Sequence, residues 1–438
     1  MQKQFVVTGL SHEGRGVARD NGKIHFIDGA LPNETVVAQR VATHARYDEW
    51  RLLNVVESSV YRAQPFCAVY HRCGGCALQH CQVDAQRQFK RQEMLEQLRR
   101  LAGITPRSIM PDIVSVAEGY RRRARLSINT YKGAFEVGFR ERAGKNIVAF
   151  DSCPVLRDEL NALLAPLSAL LAALTCRSAL GHVELVVDDQ GRCGVALRVT
   201  TVLSAADVTR IEQFSAQHEC VFCVIEGGEK LSARILSPCT ALSYAVNSGE
   251  VIEFLPTDFL QGNAVVNRVL VDTALDWLEL DGSQAVLELY AGIGNFSSSL
   301  AARCKKLVML EGVADMVNRA KNWIERRQIT HVEAVVADLD ADQLPRNVRK
   351  QAFDRVLLDP PRDGAKRIIA DVARLKAAVI VYVSCNPATL ARDAKVLGEQ
   401  GYVLDRIALA DMFPHTEHAE CIARFVQKKL LKTREKSV

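Results

Sequence analysis

Residues 4–57 alternate apolar and polar positions in short runs, QFVVTGL, GKIHFIDG, ETVVAQRV and RLLNVVES, separated by glycines and turn formers. A period of two over about four to eight residues predicts half-buried strands, and several in close succession predict a small antiparallel β-barrel. The rhythm then lengthens. QRQFKRQEMLEQLRRL places Phe89, Met94, Leu95 and Leu98 on roughly one side of a basic helix. Between residues 155 and 260, the helical spans LNALLAPLSALLAAL and VTRIEQFSAQHE mix with the strands HVELVVDD, CGVALRVT and CVFCVIEG, a mixed α+β pattern. After residue 260 the apolar strands AVLELY, KLVMLE, VEAVVAD, FDRVLLD and AVIVYVS alternate with helix formers such as ADMVNRAKNWIERR and ATLARDAKVLGEQ. That alternation predicts an α/β unit with a mostly parallel, doubly wound sheet, which takes ligands beyond the carboxyl ends of its strands.

At about 150 residues per domain, 438 residues imply about three domains. A chain 48% hydrophobic and 24% charged buries real cores, which excludes wholesale disorder. No run of about 18 apolar residues offers a membrane span, and MQKQFVVTGLSHEGRG lacks the apolar segment of a secretory signal. A cytoplasmic protein with no membrane association is expected, and no obligate protein partner is evident. The net charge of +5 is too small to prove nucleic-acid binding, so the placement of the charges matters more. GYRRRARLSI sets Arg121, Arg122, Arg123 and Arg125 within five positions, either a clamp for a phosphate backbone or a salt-bridged surface. The basic helix at 86–101 is open to the same two readings. Arg40, Arg46 and Arg51 would help if the barrel is a nucleic-acid platform rather than a structural accessory. The closing KKLLKTREKSV is a charged end expected to fray.

Thirteen cysteines in a cytosolic chain suggest metal or thiol chemistry rather than disulfides. Cys67, Cys73 and Cys76 follow C-x5-C-x2-C, and Cys153 could return to complete a four-thiolate site. Spacing alone leaves an iron–sulfur cluster, zinc and free thiols all open.

The strand ends carry the sharper signals. AVLELY runs into Ala291-Gly292-Ile293-Gly294-Asn295, where glycine permits a tight turn and a close backbone approach to a cofactor. Glu311 ends the next strand, suited to two ribose hydroxyls, and Asp338 ends the third, suited to an adenine amino group. The absence of a Walker A lysine motif counts against a nucleotide triphosphatase, while an NAD-linked enzyme stays open. Asp359 stands at a strand end before Pro360-Pro361, which stiffen a loop beside the cleft. The following strand delivers Cys385 into Ser384-Cys385-Asn386-Pro387, a nucleophile position at the same sheet edge.

With these landmarks the chain resembles the RNA uracil-C5 methyltransferases: FLQGN at 259–263, LYAGIGNF at 289–296, LLDPPR at 357–362, VSCNP at 383–387 and HTEHAE at 415–420 occur in the family's order. The resemblance implies a class I S-adenosylmethionine-dependent methyltransferase domain. Gln261, Tyr290, Gly292, Asn295, Glu311, Asp338 and Asp359 match its donor-site positions, with Tyr290 replacing a commoner phenylalanine. It implies Cys385 as the nucleophile that attacks uracil C6, and Glu420 as the base that removes the C5 proton. Within the family the chain is most similar to the iron–sulfur branch acting on 23S ribosomal RNA. That branch implies a [4Fe-4S] cluster on Cys67, Cys73, Cys76 and Cys153, a TRAM-like barrel over 1–59, a cluster region over 60–83 plus Cys153, a central RNA-binding domain over 84–255 and a catalytic domain over 256–438. The target would be a single-stranded or flipped-out uridine, since stacking blocks the ring face that sulfur attacks. Transfer RNA modification by the same chemistry and a noncatalytic RNA-binding factor are the alternatives.

Overall fold

The computed structural model describes residues 1–130, 135–227, 232–239, 241–246 and 249–435. At the amino terminus six strands pair in the order Gln2–Val6, Thr35–Thr43, Tyr47–Glu57, Lys23–Asp28, Gly16–Asp20, Gly9–Leu10. Alternation sends Phe5, Ile27, Val36, Ala38 and Trp50 into one small core, and three register shifts in the longest strand pair bend the sheet around it. The strand Gly16–Asp20 was not among the predicted runs; GVARD is too short and polar to stand out without its partner Lys23–Asp28.

The central sheet has seven strands, in the order Ile147–Ala149, Glu136–Arg140, Arg123–Asn129, Leu180–Val187, Cys193–Val199, Val221–Glu226, Ser232–Ile235. Only the pair Cys193–Val199 and Val221–Glu226 is parallel, as expected where the helix Ala205–Gln217 makes the crossover between them. Leucines of the helix Asp158–Ala173 and Ile211 and Phe214 of the second helix close one core over this sheet.

The carboxyl-terminal sheet is assembled from β1 (Ala285–Leu289), β2 (Lys306–Glu311), β3 (Val332–Val336), β4 (Arg355–Leu358), β5 (Val379–Ser384), β6 (Tyr402–Ala410) and β7 (Glu420–Gln427). Their order is β3-β2-β1-β4-β5-β7-β6, with Ser108–Ile109 added at the outer edge. The first five are parallel and β7 runs antiparallel between β5 and β6. Helix α1 (Val83–Gln97) joins this sheet from far upstream: Met94 and the following Leu98 enter the same core as Leu390, Ala394 and Leu397 of α2 (Pro387–Glu399). The chain leaves β1 on one side and returns to it on the other through β4, so the β1–β4 crevice is the topological switch point where such sheets bind ligands. Lys428–Glu435 form a terminal helix; residues 436–438 of the charged end lie outside the described residues.

Candidate active site

Parallel pairing brings the carboxyl ends of β1, β2, β4 and β5 to one edge. After β1 the backbone turns through Tyr290 and Gly292, both in the left-handed region at φ 62° and 56°. A Cβ on Gly292 would meet nothing within 4 Å, so the backbone there faces open space. The Glu311 carboxylate ties this turn to the end of β2, accepting from the Gly292 N–H and the Val313 N–H, each at 2.9 Å. Asp338 caps its own turn by accepting from the Asp340 N–H at 2.9 Å. Asp359, one residue past β4, accepts from Gln261 Nε2 at 3.4 Å, and Gln261 itself is buried. The LLDPPR turn is bound to the next one, because the Arg362 carbonyl accepts from Asn386 Nδ2 at 3.1 Å and from Thr389 Oγ1 at 3.2 Å.

Cys385 follows the last residue of β5. Its neighbour Asn386 caps α2 by accepting from the Ala388 N–H, and Pro387 starts the helix where no N–H is needed. Ser384 pairs with Cys421 across β5 and β7, so the next pair along that antiparallel ladder sets Cys385 against Glu420. Their electrostatics are coupled. Burial pushes the Cys385 thiol up to about 11, with the Glu420 and Asp359 carboxyls adding to the rise and Arg362 opposing it. Burial, helped by the negative charge of Asp359, lifts Glu420 to about 8, and burial lifts Asp359 to about 7 against the Gln261 hydrogen bond. Glu420 Oε2 is buried without a hydrogen-bond partner. A thiol, a carboxyl with one unpartnered oxygen and a second raised carboxyl thus stand at one strand edge, groups whose chemistry suits nucleophilic attack and proton transfer.

The family described as tRNA (Uracil-5-)-methyltransferase matches residues 83–429. The 23S rRNA (uracil(1939)-C(5))-methyltransferase RlmD of Vibrio parahaemolyticus is 39% identical over 418 residues, covering 95% of this chain and 94% of that protein. The protein of the same name from Vibrio cholerae is 40% identical over 422 residues, covering 96% and 94%. The chain belongs to the RNA uracil-C5 methyltransferase family. It is an S-adenosylmethionine-dependent enzyme. Its fold is that of the tRNA (uracil-54, C5)-methyltransferase of Pyrococcus abyssi, solved with S-adenosyl-L-homocysteine: TM-score 0.72, 24% identity, 97% of this chain and 100% of that one.

Among the donor-site residues expected of this methyltransferase, Gln261, Gly292, Glu311 and Asp359 meet at the switch-point edge through the contacts above. Asn295 turns elsewhere. It exchanges two 2.9 Å hydrogen bonds with Asn267, on the helix Ala264–Leu278, and its Oδ1 also faces the Tyr244 hydroxyl at 3.4 Å. The Tyr290 ring packs against the hydrophobic core below the turn.

The cysteine expectation requires correction. Cys67, Cys73, Cys76 and Cys153 do line one small cavity. Yet among the described residues no group of three or more His, Cys, Asp or Glu side chains is arranged to hold a metal ion, so the [4Fe-4S] cluster and metal binding are withdrawn, and zinc with them. The physical reason lies in the thiols' environment. Burial raises the Cys73, Cys76 and Cys153 thiols above the ordinary thiol range, Cys76 to about 12, as for sulfurs packed into a protein interior.

The arginine run is largely engaged within the protein. Arg122 is 1% exposed; its Nε donates to the Gln261 carbonyl at 2.8 Å and its backbone N–H to the Gly262 carbonyl at 2.9 Å. Arg123 pairs with Glu184 and the Asp258 carbonyl, leaving Arg125 the exposed member. In the basic helix Lys90 is likewise buried, whereas Arg99 and Arg100 just beyond the end of α1 are exposed. Sequence reasoning also missed Glu288, buried in β1, raised to about 8 by burial and accepting from Ser297 Oγ at 2.6 Å. An acid inside the apolar run AVLELY was its only signal.

Raised carboxyls make stability depend on pH with a definite sign. Glu420 titrates near 4.3 in an unfolded chain and near 8 in the folded one, so the native state holds the extra proton between these values and stability falls as pH rises through that window. Glu420→Gln removes the titration. The variant is expected to be more stable than the parent at pH 8, by on the order of a few kcal/mol, with the difference vanishing near pH 4. Urea unfolding at the two pH values measures this; a pH-independent difference would refute the raised carboxyl.

Proposed function

We propose that this methyltransferase transfers a methyl group to C5 of a uridine in 23S ribosomal RNA, and that it does so in the cytoplasm. The observation that carries the substrate is the 39–40% identity over 95–96% of the chain to relatives named for that RNA. Absence of a helix long and apolar enough to cross a membrane, among the described residues, accords with a soluble RNA substrate.

The donor fits the switch-point edge. Open space before Gly292 admits close backbone approach, and Glu311 and Asp338, at the ends of β2 and β3, are the acceptors proposed for its hydroxyl and amino groups. Gln261, Tyr290, Gly292, Glu311, Asp338 and Asp359 would hold it, with Asn295 supporting the turn from behind. S-adenosylmethionine supplies an electrophilic methyl group there. Uracil C5 is a weak nucleophile, so the protein must first activate it. Cys385, its thiol proton given up to solvent, bonds to C6 as the thiolate, and the C5–C6 electron pair moves toward C5 and O4, making C5 nucleophilic. C5 would then take the methyl group, with the S–CH3 bonding pair staying on the departing S-adenosylhomocysteine; Glu420, acting in its ionised form, takes the C5 proton, the C–H electrons restore the C5–C6 double bond, and the Cys385 sulfur leaves with its bonding pair. The domain reading gives the curled sheet over 1–59 and the central unit over 84–255 the work of grasping RNA, with Arg125 as an exposed phosphate contact.

Incubating the full chain with labelled donor and separate pools of ribosomal and transfer RNA tests the reading. Methyluridine is expected in 23S RNA, at the uridine corresponding to 1939 in the relatives' names. Label confined to transfer RNA would reject the substrate.

A further inference from the structure

Glu420 has no hydrogen-bond partner for its buried Oε2, so no side-chain contact aims that oxygen. Its direction depends on its backbone, at the junction of β7 with the connection 411–419. Ala410 and Glu420 pair across the mouth of that connection, and His415 within it adopts φ 66°, a conformation that costs energy in a non-glycine residue and persists only where surroundings enforce it.

Helix α1 supplies the enforcement. Gln86 is fully buried, and its Oε1 accepts from the His415 N–H at 2.9 Å while its amide nitrogen faces His415 Nδ1 at 3.1 Å. The same amide nitrogen is held by the carbonyls of Leu78 at 3.0 Å and Cys81 at 2.7 Å. One turn on, Lys90 Nζ donates to Asp411 Oδ1 at 2.8 Å and to the Phe413 carbonyl at 3.0 Å. Arg87 completes the grip on Asp411 at 3.0 Å. Gln86 and Lys90, four residues apart, lie on one helix face. A buried ion pair of this kind adds little net stability compared with apolar packing, whereas it fixes the geometry of what it holds.

We propose that Gln86 and Lys90 are positioning residues for Glu420: together they clamp the segment 411–415 and so set the backbone from which that carboxylate meets the reacting base. The inference rests on the reading of Glu420 as the proton acceptor. It predicts that loosening the clamp impairs the late step, removal of the C5 proton and expulsion of sulfur, while sparing the early bond between Cys385 and C6.

The test uses full-length Lys90→Met and Gln86→Met beside Glu420→Gln. An RNA carrying 5-fluorouridine at the target reports the early steps, because the methylated fluoro adduct has no C5 proton to lose and stays covalent. Natural uridine RNA reports the late step, through turnover and through the fraction of enzyme held as a covalent methylated adduct on denaturing gels. Both methionine variants should trap fluorouridine RNA as the parent does, accumulate the natural adduct as Glu420→Gln does, and turn over about a hundredfold more slowly, the scale of a misplacement near 1 Å. If Glu420→Gln accumulates adduct while the methionine variants turn over normally, the inference falls; equal loss of fluorouridine trapping and turnover in both would also overturn it. If Glu420→Gln itself accumulates no adduct, the proton-acceptor reading fails instead.

Discussion

Cys385→Ala is expected to lose methyl transfer by about 10⁴-fold or more while still binding its RNA, since without a covalent bond at C6 no other group can raise the electron density at C5. The nearest alternative sulfur does not compensate. Cys421 is fully buried in the hydrophobic core, one position further into β7, and its thiol is pushed far up by burial. Alternation along the strand turns it to the opposite face from Glu420. The resting Cys385 thiol is itself held protonated at about 11, so its thiolate must form in the presence of substrate, with the Arg362 charge as the favourable influence at hand. Filter binding with target RNA should therefore be unchanged in the variant, while labelled methyl incorporation disappears. Incorporation within tenfold of the parent would remove Cys385 from the mechanism.

Glu420→Gln is the second large effect. General-base contributions of about 10² to 10⁴ in rate are typical, and the loss should fall on turnover rather than on the first methyl transfer. A glutamine has the shape of the carboxyl but cannot accept the proton, so the methylated adduct should accumulate in a burst equal to the enzyme present. Asp359 stands close enough to raise Glu420, yet its carboxyl is engaged by Gln261, which limits it as a substitute base. A variant that turns over at the parental rate, without adduct, would assign proton removal to another group.

Much of the site was legible as a row of strand-end residues. Gly292, Glu311, Asp338, Asp359 and Cys385 each follow an apolar run, and in a parallel sheet successive strands deliver their ends to the same edge. Glu420 was not legible in that way, because it begins a strand instead of ending one; only the reversed direction of β7 brings it to Cys385. The basic residues were the least legible. Lys90 and Asp411 are 321 residues apart, and nothing local separates a lysine bound for a buried carboxylate from one bound for phosphate. Arg122 and Gln261 are 139 residues apart and pose the same difficulty. For the cysteines, spacing spoke for a shared site, and they do gather around one cavity, but the absence of a metal-holding group among the described residues was not written in the spacing.

The primary chain thus settles whatever depends on neighbours within a few positions: the change of period from barrel strands to a doubly wound sheet, the glycine turn, the proline-stiffened loops and the family itself. Folding settles the rest, namely which carboxyls keep their protons, which arginines and lysines are spent inside, and how α1 grips the loop before Glu420. The division has a physical cause. Periodicity and turn chemistry act through adjacent backbone, while desolvation and ion pairing depend on atoms brought together from hundreds of residues away.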